Sequence, residues 1–262
     1  MSIFKLQQFS VKQTVSGMKI CSDSLLFGAL IPVGGVKRIL DIGTGTGLLS
    51  LMQAQKCSAL SPKTLELITA VEITAEGAAE AKDNFCASPW GSLLNVVHQD
   101  IQSFTEQAVI NNSAQYDLII CNPPFFSHHS PTQSSNALRH IARHTDYLSF
   151  SDLSHSLATL LTKNGVGYLL VPVSIKQEIR QYLNHVGLDI SAVINITESK
   201  QHVAKVMVLK VEFGIDTEGA PSKIDLEKTL CKFDLDNPSK NSHTHTVQQH
   251  LSPFLLRYKN GK

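Results

Sequence analysis

From residue 38 onward, short apolar runs alternate with longer segments whose apolar residues recur at helical spacing. Apolar runs of about four to eight residues are typical of buried strands, and longer amphipathic segments are typical of helices. Strands that alternate with helices form parallel βαβ units. The pattern therefore predicts an α/β fold, a doubly wound and mostly parallel sheet with helices on both faces. The seven predicted strands span 38–42, 68–73, 95–98, 117–121, 165–171, 188–196 and 205–213, and the predicted helices span 46–57, 74–85, 151–162 and 174–186.

The alternation of strands and helices divides the chain into three predicted segments. Residues 1–35 precede the first strand, and we expect them to form a lid or substrate-contacting segment. Residues 36–214 form the main domain, in which the last two strands have no helix between them and so should pair antiparallel. Residues 215–262 are rich in Asp, Ser, Lys and His, which predicts a partly flexible tail. Within the domain, the polar residues 127–149 predict a long loop, and such loops are often functional.

A glycine-rich turn, DIGTGTG at residues 41–47, follows the first predicted strand. A strand, a glycine turn and a helix together bring backbone N–H groups and a helix N-terminus close to a ligand. The nicotinamide fingerprint GxGxxG requires a third glycine at position 48 or 50, and the chain has Leu48 and Ser50 there. The turn more closely resembles that of S-adenosylmethionine-dependent enzymes, whose ligand carries an amino acid and a sulfonium in place of a pyrophosphate.

Two acidic residues stand at the ends of the next two predicted strands. The carboxylate of Glu72 could accept both ribose hydroxyls of the cofactor, as the acid at this position does in dinucleotide sites. Asp100 follows the third strand and could accept from the adenine amino group. Parallel sheets bind ligands at the carboxyl ends of their strands, where both acids lie. The alternative for either acid is a solvated residue at a strand end, and position favours Glu72 over Asp100 as the functional one.

The segment Asn122-Pro123-Pro124-Phe125 leaves the fourth predicted strand. Two prolines stiffen the chain at this corner and remove two backbone donors. The Asn122 side chain and the Pro123 carbonyl offer two convergent acceptors for a planar NH2 group, and Phe125 offers a face for a flat ring. An ordinary turn capped by Asn is the alternative, but the glycine turn on a separate strand favours a site that binds an amino group.

Composition narrows the class of protein. The 262 residues, with 42% hydrophobic and 17% charged side chains, are typical of one large globular domain with small additions. The net charge of +1 does not indicate a broad basic surface for nucleic acid, so any such surface must be local. The five cysteines form no CxxC pair, and we expect no metal. No apolar run reaches the length of a membrane span and no signal peptide is evident, so we expect a cytoplasmic protein that does not bind membranes.

The chain resembles class I S-adenosylmethionine-dependent methyltransferases that act on exocyclic amino groups. The features that carry this resemblance are the glycine turn, the acids Glu72 and Asp100, and the Asn-Pro-Pro-Phe segment. Residues 18–29, the Arg-His pairs within 139–144 and the segment 251–256 are similar to the tRNA1(Val) (adenine(37)-N6)-methyltransferase family. The resemblance implies a Rossmann-like fold, a methyltransferase domain at 36–214, S-adenosylmethionine as cofactor and the tRNA anticodon loop as partner. It also implies N6 methylation of adenine 37, and a monomer is the default.

The resemblance assigns roles to individual residues. The implied catalytic residues are Asn122, Pro123 and Phe125. The implied substrate contacts are Phe125, Arg143, His144 and Lys19. The implied cofactor contacts are Asp41, Gly43, Gly45, Gly47, Glu72, Asp100 and Asn122.

Three other functions share part of this pattern. An N2-guanine methyltransferase of ribosomal RNA can carry the same Asn-Pro-Pro-Phe segment, although such enzymes usually bring an additional domain. A glutamine-amide methyltransferase of a protein typically has Tyr at the position of Phe125. A non-catalytic RNA-binding module would not need the glycine turn, Glu72 or Asn122, so it is the weakest alternative.

Overall fold

The computed structural model describes residues 2–15, 19–60, 63–113, 115–123, 148–214, 226–233 and 243–258. A short antiparallel hairpin precedes the main sheet, and its strands are β1 (Ile3–Lys5) and β2 (Ser10–Lys12). The other strands are β3 (Arg38–Ile42), β4 (Leu67–Glu72), β5 (Leu94–His98), β6 (Tyr116–Cys121), β7 (Leu161–Pro172), β8 (Leu188–Thr197), β9 (Val206–Phe213) and β10 (Leu226–Cys231). The helices are α1 (Ser22–Leu30), α2 (Leu48–Leu60), α3 (Ala75–Cys86), α4 (Ile101–Ile110), α5 (Phe150–Leu160), α6 (Lys176–His185) and α7 (His245–Leu251).

Within the described residues, eight strands form one sheet in the order β10-β8-β9-β7-β6-β3-β4-β5. The five neighbouring strands β7, β6, β3, β4 and β5 are parallel to one another. Strand β9 is antiparallel to both β7 and β8. The predicted α/β fold, mostly parallel with antiparallel pairing near its end, is therefore confirmed. The predicted count of seven strands misses β10, which pairs parallel to β8.

The missed strand β10 gives no apolar signal. It is an edge strand, and its first four residues are exposed. Edge strands often carry charged side chains because these discourage further pairing. The sequence Leu226-Glu227-Lys228-Thr229 therefore looks like part of a polar tail.

The core consists of two apolar clusters, one on each face of the sheet. Helices α1, α2, α3 and α7 pack on one face, and α4, α5 and α6 pack on the other, as predicted for a doubly wound sheet. The first face also buries residues from both ends of the chain, including Phe9 and Phe254. The backbone N–H of Gln7 donates to the carbonyl of Phe254 over 2.8 Å, so the two ends meet there.

Three helices were not among the predicted ones: α1, α4 and α7, the last of which lies in the segment predicted to be a partly flexible tail. The first has buried residues from Ser24 to Ala29 with no polar stripe between them, so no helical periodicity is visible. The second begins at an Asp100 cap that was interpreted as a ligand-binding acid. None of the helices in the described residues combines the length and the hydropathy needed to cross a bilayer.

Candidate active site

The parallel pairing of β3, β4 and β6 gathers the predicted site residues at one edge of the sheet. Ile42, at the end of β3, is in register with Val71 of β4 and with Cys121 of β6. The glycine turn, Glu72 and Asn122 follow these positions directly, so they lie side by side. Asp100 follows β5 at the same edge. This is the edge at which open α/β sheets bind ligands.

The glycine turn has a conformation that glycine adopts readily. Gly43, Gly45 and Gly47 have φ angles of +68°, +56° and +81°, in the left-handed region. The N–H of Gly43 donates to the Val71 carbonyl over 2.9 Å, which ties the turn to β4. A Cβ atom on Gly47 would lie 2.4 Å from Cε1 of Phe85, so only glycine fits there. The turn is therefore held against both β4 and α3.

Asp41 organises the turn from beneath. Its side chain is fully buried, and Oδ2 accepts from Thr44 Oγ1 at 2.6 Å, Ser50 Oγ at 2.7 Å and Ser50 N at 3.2 Å. Burial raises its pKa to about 6, against the lowering effect of these hydrogen bonds, and the charge of Glu72 adds to the rise. Among the described residues, Oδ1 has no hydrogen-bond partner. Asp41 links the turn to the first turn of α2.

Glu72 supports the opposite side of the turn. Its Oε2 accepts from the N–H of Gly45 at 2.9 Å, and its Oε1 accepts from Thr74 N at 3.0 Å and Thr74 Oγ1 at 2.8 Å. Only 8% of the residue is exposed. A carboxylate offers about four acceptor positions, so three protein donors leave little room for more than one further donor. The predicted contact with two ribose hydroxyls stays a prediction.

Asp100 is the N-cap of α4. Its carboxylate accepts from Ser103 N at 2.8 Å and from Ser103 Oγ at 2.9 Å. The backbone hydrogen bond from Ser103 is the main reason that the pKa of Asp100 lies below its ordinary value. Asp is a common N-cap residue, and a cap accounts for the position of Asp100 without any ligand. A contact between Asp100 and adenine stays a prediction.

Asn122 leaves β6 with its amide directed at α1. The Nδ2 atom donates to Ser24 Oγ at 3.1 Å, and Asn122 is half-buried. Pro123 is buried beside it. Ser24 was not predicted as a site residue, and the only sequence signal for it is the polar triplet Ser22-Asp23-Ser24 before an apolar run.

The structure does not test the predicted substrate contacts. Phe125, Arg143, His144 and nearly all of the predicted 127–149 loop lie outside the described residues. Lys19 is exposed and precedes α1, three residues before the helix begins. No group of three His, Cys, Asp or Glu side chains suited to a metal occurs in the part of the chain that the structure describes.

Comparison with known proteins identifies the family. Residues 15–149 match the family model described as "Methyltransferase small domain". A Shewanella sediminis protein named tRNA1(Val) (adenine(37)-N6)-methyltransferase is 33% identical over 256 residues, covering 97% of this chain and 99% of that protein. A Cytophaga hutchinsonii protein of the same name is 40% identical over 190 residues, covering 72% and 74%. The crystal structure of a predicted O-methyltransferase from Agrobacterium tumefaciens shares the fold, with a TM-score of 0.57, 15% identity, and coverage of 88% of this chain and 95% of that one.

Proposed function

We propose that this chain, which belongs to the tRNA1(Val) (adenine(37)-N6)-methyltransferase family, methylates the exocyclic N6 of an adenine in tRNA. The proposed methyl donor is S-adenosylmethionine, and the proposed target is position 37 of the tRNA1(Val) anticodon loop. The observation that carries the proposal is the position of Asn122, which is at the same sheet edge as the glycine turn and Glu72. Its amide carbonyl is thereby available beside the place where a cofactor would be held.

The residues at this edge fit S-adenosylmethionine. Gly43 and Gly45 have open space where a side chain would project, so a ligand can approach the backbone closely. Glu72 adds a carboxylate that already accepts three hydrogen bonds from the protein and could accept about one more, such as that of a ribose hydroxyl. When bound, S-adenosylmethionine supplies an electrophilic methyl group on its sulfonium sulfur. The glycine turn and Glu72 would orient that methyl group toward Asn122.

Asn122 and Pro123 would position the nucleophile. The Asn122 Oδ1 and the Pro123 carbonyl accept hydrogen bonds from the adenine amino group, which turns the nitrogen lone pair toward the methyl group. No strong base is required before attack, because the nitrogen releases its proton after the methyl group has been transferred. Alignment then provides most of the rate enhancement, since good orientation of the reacting groups can lower the activation barrier by roughly 7–11 kcal/mol.

The target base must leave the loop in order to reach this pocket. Extruding a base costs about a few kcal/mol in a duplex and less in a single-stranded loop. We propose that Phe125 stacks on the adenine, a contact worth roughly 1–3 kcal/mol. We also propose that Arg143, His144 and Lys19 contact the RNA. The enzyme would act as a cytoplasmic monomer without a metal.

The test is methyl transfer from labelled S-adenosylmethionine to unmodified tRNA, followed by nucleoside digestion and mass spectrometry. Wild type should form N6-methyladenosine, and Asn122→Ala should lower kcat by about 100-fold or more, as loss of an aligned polar group commonly does. Asn195→Ala is the matched control, because Asn195 lies on β8, which is separated from β6 in the sheet by β9 and β7. It should keep the wild-type rate.

Other outcomes identify which part of the proposal is wrong. Formation of N2-methylguanosine would retain the amino-group chemistry and overturn the adenine target. Transfer to a protein glutamine, with no RNA product, would overturn the RNA substrate. An Asn122→Ala enzyme with the wild-type rate would overturn the role of the amide.

A further inference from the structure

The orientation of the Asn122 amide decides whether the site can accept from an amino group. One end of the amide is a carbonyl acceptor and the other is an NH2 donor. If Nδ2 faced the substrate, two donors would meet and no hydrogen bond would form. In the structure Nδ2 donates to Ser24 Oγ at 3.1 Å, which leaves Oδ1 as the acceptor.

Ser24 is suited to hold that orientation. It lies in the first turn of α1 and is only 9% exposed, so little water competes for its hydroxyl. Its Oγ also lies 3.2 Å from the Sγ of Cys21, the residue that caps α1. A serine hydroxyl has one proton and two lone pairs. It can therefore accept from Asn122 while giving its own proton to the sulfur.

Contacts at both ends fix α1, and with it Ser24. At the N-terminal end, Lys232 Nζ lies 2.8 Å from Asp23 Oδ1 and 3.3 Å from Ser22 Oγ, and the Lys232 side chain is only 5% exposed. At the C-terminal end, Lys56 Nζ donates to the carbonyls of Gly28 at 3.2 Å and Ala29 at 3.0 Å. Cations satisfy the carbonyls at a helix C-terminus, and acidic residues suit its N-terminus. The Ser24 hydroxyl is therefore held by the fold rather than by Asn122.

We infer that Ser24 is a positioning residue for methyl transfer: its hydroxyl accepts from Asn122 Nδ2 and keeps Oδ1 directed at the substrate amino group. The inference rests on the proposed function. Without the hydroxyl, the amide can rotate by half a turn and spend part of its time with the donor facing the substrate. The bound substrate and cofactor are then misaligned, while the glycine turn and Glu72 are untouched.

The experiment compares Ser24→Thr with Ser24→Val, two side chains of similar shape of which only Thr has a hydroxyl. With saturating tRNA, Ser24→Val and Ser24→Ala should lower kcat by about tenfold, equivalent to about 1.4 kcal/mol. Ser24→Thr should recover most of the rate. Calorimetry with S-adenosylmethionine should give wild-type affinity for each variant. The control is Ser156→Ala, which removes another buried helical hydroxyl, 2.9 Å from Thr105 Oγ1 on the other face of the sheet, and should not change kcat.

A second comparison separates positioning from a general effect on the fold. If Ser24 acts through Asn122, adding Ser24→Ala to Asn122→Ala should lower kcat no further. Full additivity of the two changes would overturn the inference, as would equal rates for Ser24→Thr and Ser24→Val. If wild type forms no N6-methyladenosine on tRNA, the proposed function fails and takes this role with it. If wild type is active and Ser24→Ala is equally active, only the role of Ser24 fails.

Discussion

The buried carboxyl group of Asp41 should give the protein an unusual pH dependence of stability. Burial raises its folded-state pKa from 3.8 to about 6, and nearby Glu72 adds to the rise. In the unfolded chain the group titrates near its ordinary value. Between these two pH values, the folded state holds a proton that the unfolded state has lost. The contribution of Asp41 to stability is therefore complete below pH 3.8 and is lost as the pH rises through about 6.

The size of this effect follows from the two pKa values. They differ by about two decades in the proton-binding constant, and each decade corresponds to about 1.4 kcal/mol. Ionising Asp41 in the folded state should thus cost about 3 kcal/mol of unfolding free energy by neutral pH. Asn at this position has no charge to bury, so Asp41→Asn removes the pH dependence even though it also disturbs the bonds to Thr44 and Ser50.

Urea unfolding of wild type and Asp41→Asn at a series of pH values from 4 to 7.5 measures the effect. The unfolding free energy of the variant minus that of wild type should rise by about 2.5 kcal/mol across this range, because a small part of the effect is already present at pH 4. Taking the difference cancels the titration of other groups. Asp100→Asn is the control, because hydrogen bonding from Ser103 lowers the pKa of Asp100 from 3.8. The stabilisation by Asp100 is present above pH 3.8 and is lost only as the pH falls through the folded-state pKa, so its difference should be flat from pH 5 to 7.5.

A constant difference between Asp41→Asn and wild type from pH 4 to 7.5 would refute the reasoning. It would mean that Asp41 ionises in the fold as readily as in the unfolded chain. The hydrogen bonds from Thr44 and Ser50 would then compensate fully for burial.

Three further substitutions test the framework around the site. Gly47→Ala should lower the unfolding free energy by several kcal/mol in urea unfolding, because its Cβ would lie 2.4 Å from Phe85. Gly43→Ala, in open space at positive φ, should lower it by only about 1–2 kcal/mol. Equal losses would contradict the contact with Phe85. Lys232→Met removes the cation beside Asp23, and it should lower the unfolding free energy by about 1–3 kcal/mol and reduce kcat without changing cofactor affinity. Unchanged stability and rate would show that this ion pair does not hold α1.

The strands of the sheet could be predicted because their signal is local. Each of β3, β4 and β6 is an apolar run with nearly every residue buried, and the intervening helices imply parallel pairing. Parallel pairing then brings the carboxyl ends of these strands to one edge. The neighbourhood of the glycine turn, Glu72 and Asn122 followed from topology alone, without any knowledge of side-chain contacts.

The contacts of the individual side chains could not be predicted in the same way. Glu72 and Asp100 were both interpreted as ligand-binding acids, yet each one accepts hydrogen bonds from its own chain: Glu72 from Gly45 and Asp100 from Ser103. A carboxylate at the end of a strand serves equally well as a cap, a turn support or a ligand contact. The sequence contains no feature that distinguishes these roles, because the distinction depends on where the neighbouring N–H groups point.

Helix α1 shows why a long-range contact defeats local interpretation. Its N-terminal turn is held by Lys232, which is 209 residues away from Asp23 along the chain. The hydroxyl of Ser24 in the same helix accepts from Asn122, which is 98 residues away along the chain. The residues before the sheet were predicted to be a separate lid, and the polar residues after it a partly flexible tail. In the described parts of these two segments, the one before the sheet supplies the Ser24 hydroxyl that contacts Asn122. The one after the sheet supplies the Lys232 cation that contacts Asp23 on α1. On the inferred role of Ser24, the site at the sheet edge therefore depends on contacts from before and after the sheet, and the βαβ core alone would let the Asn122 amide adopt either orientation.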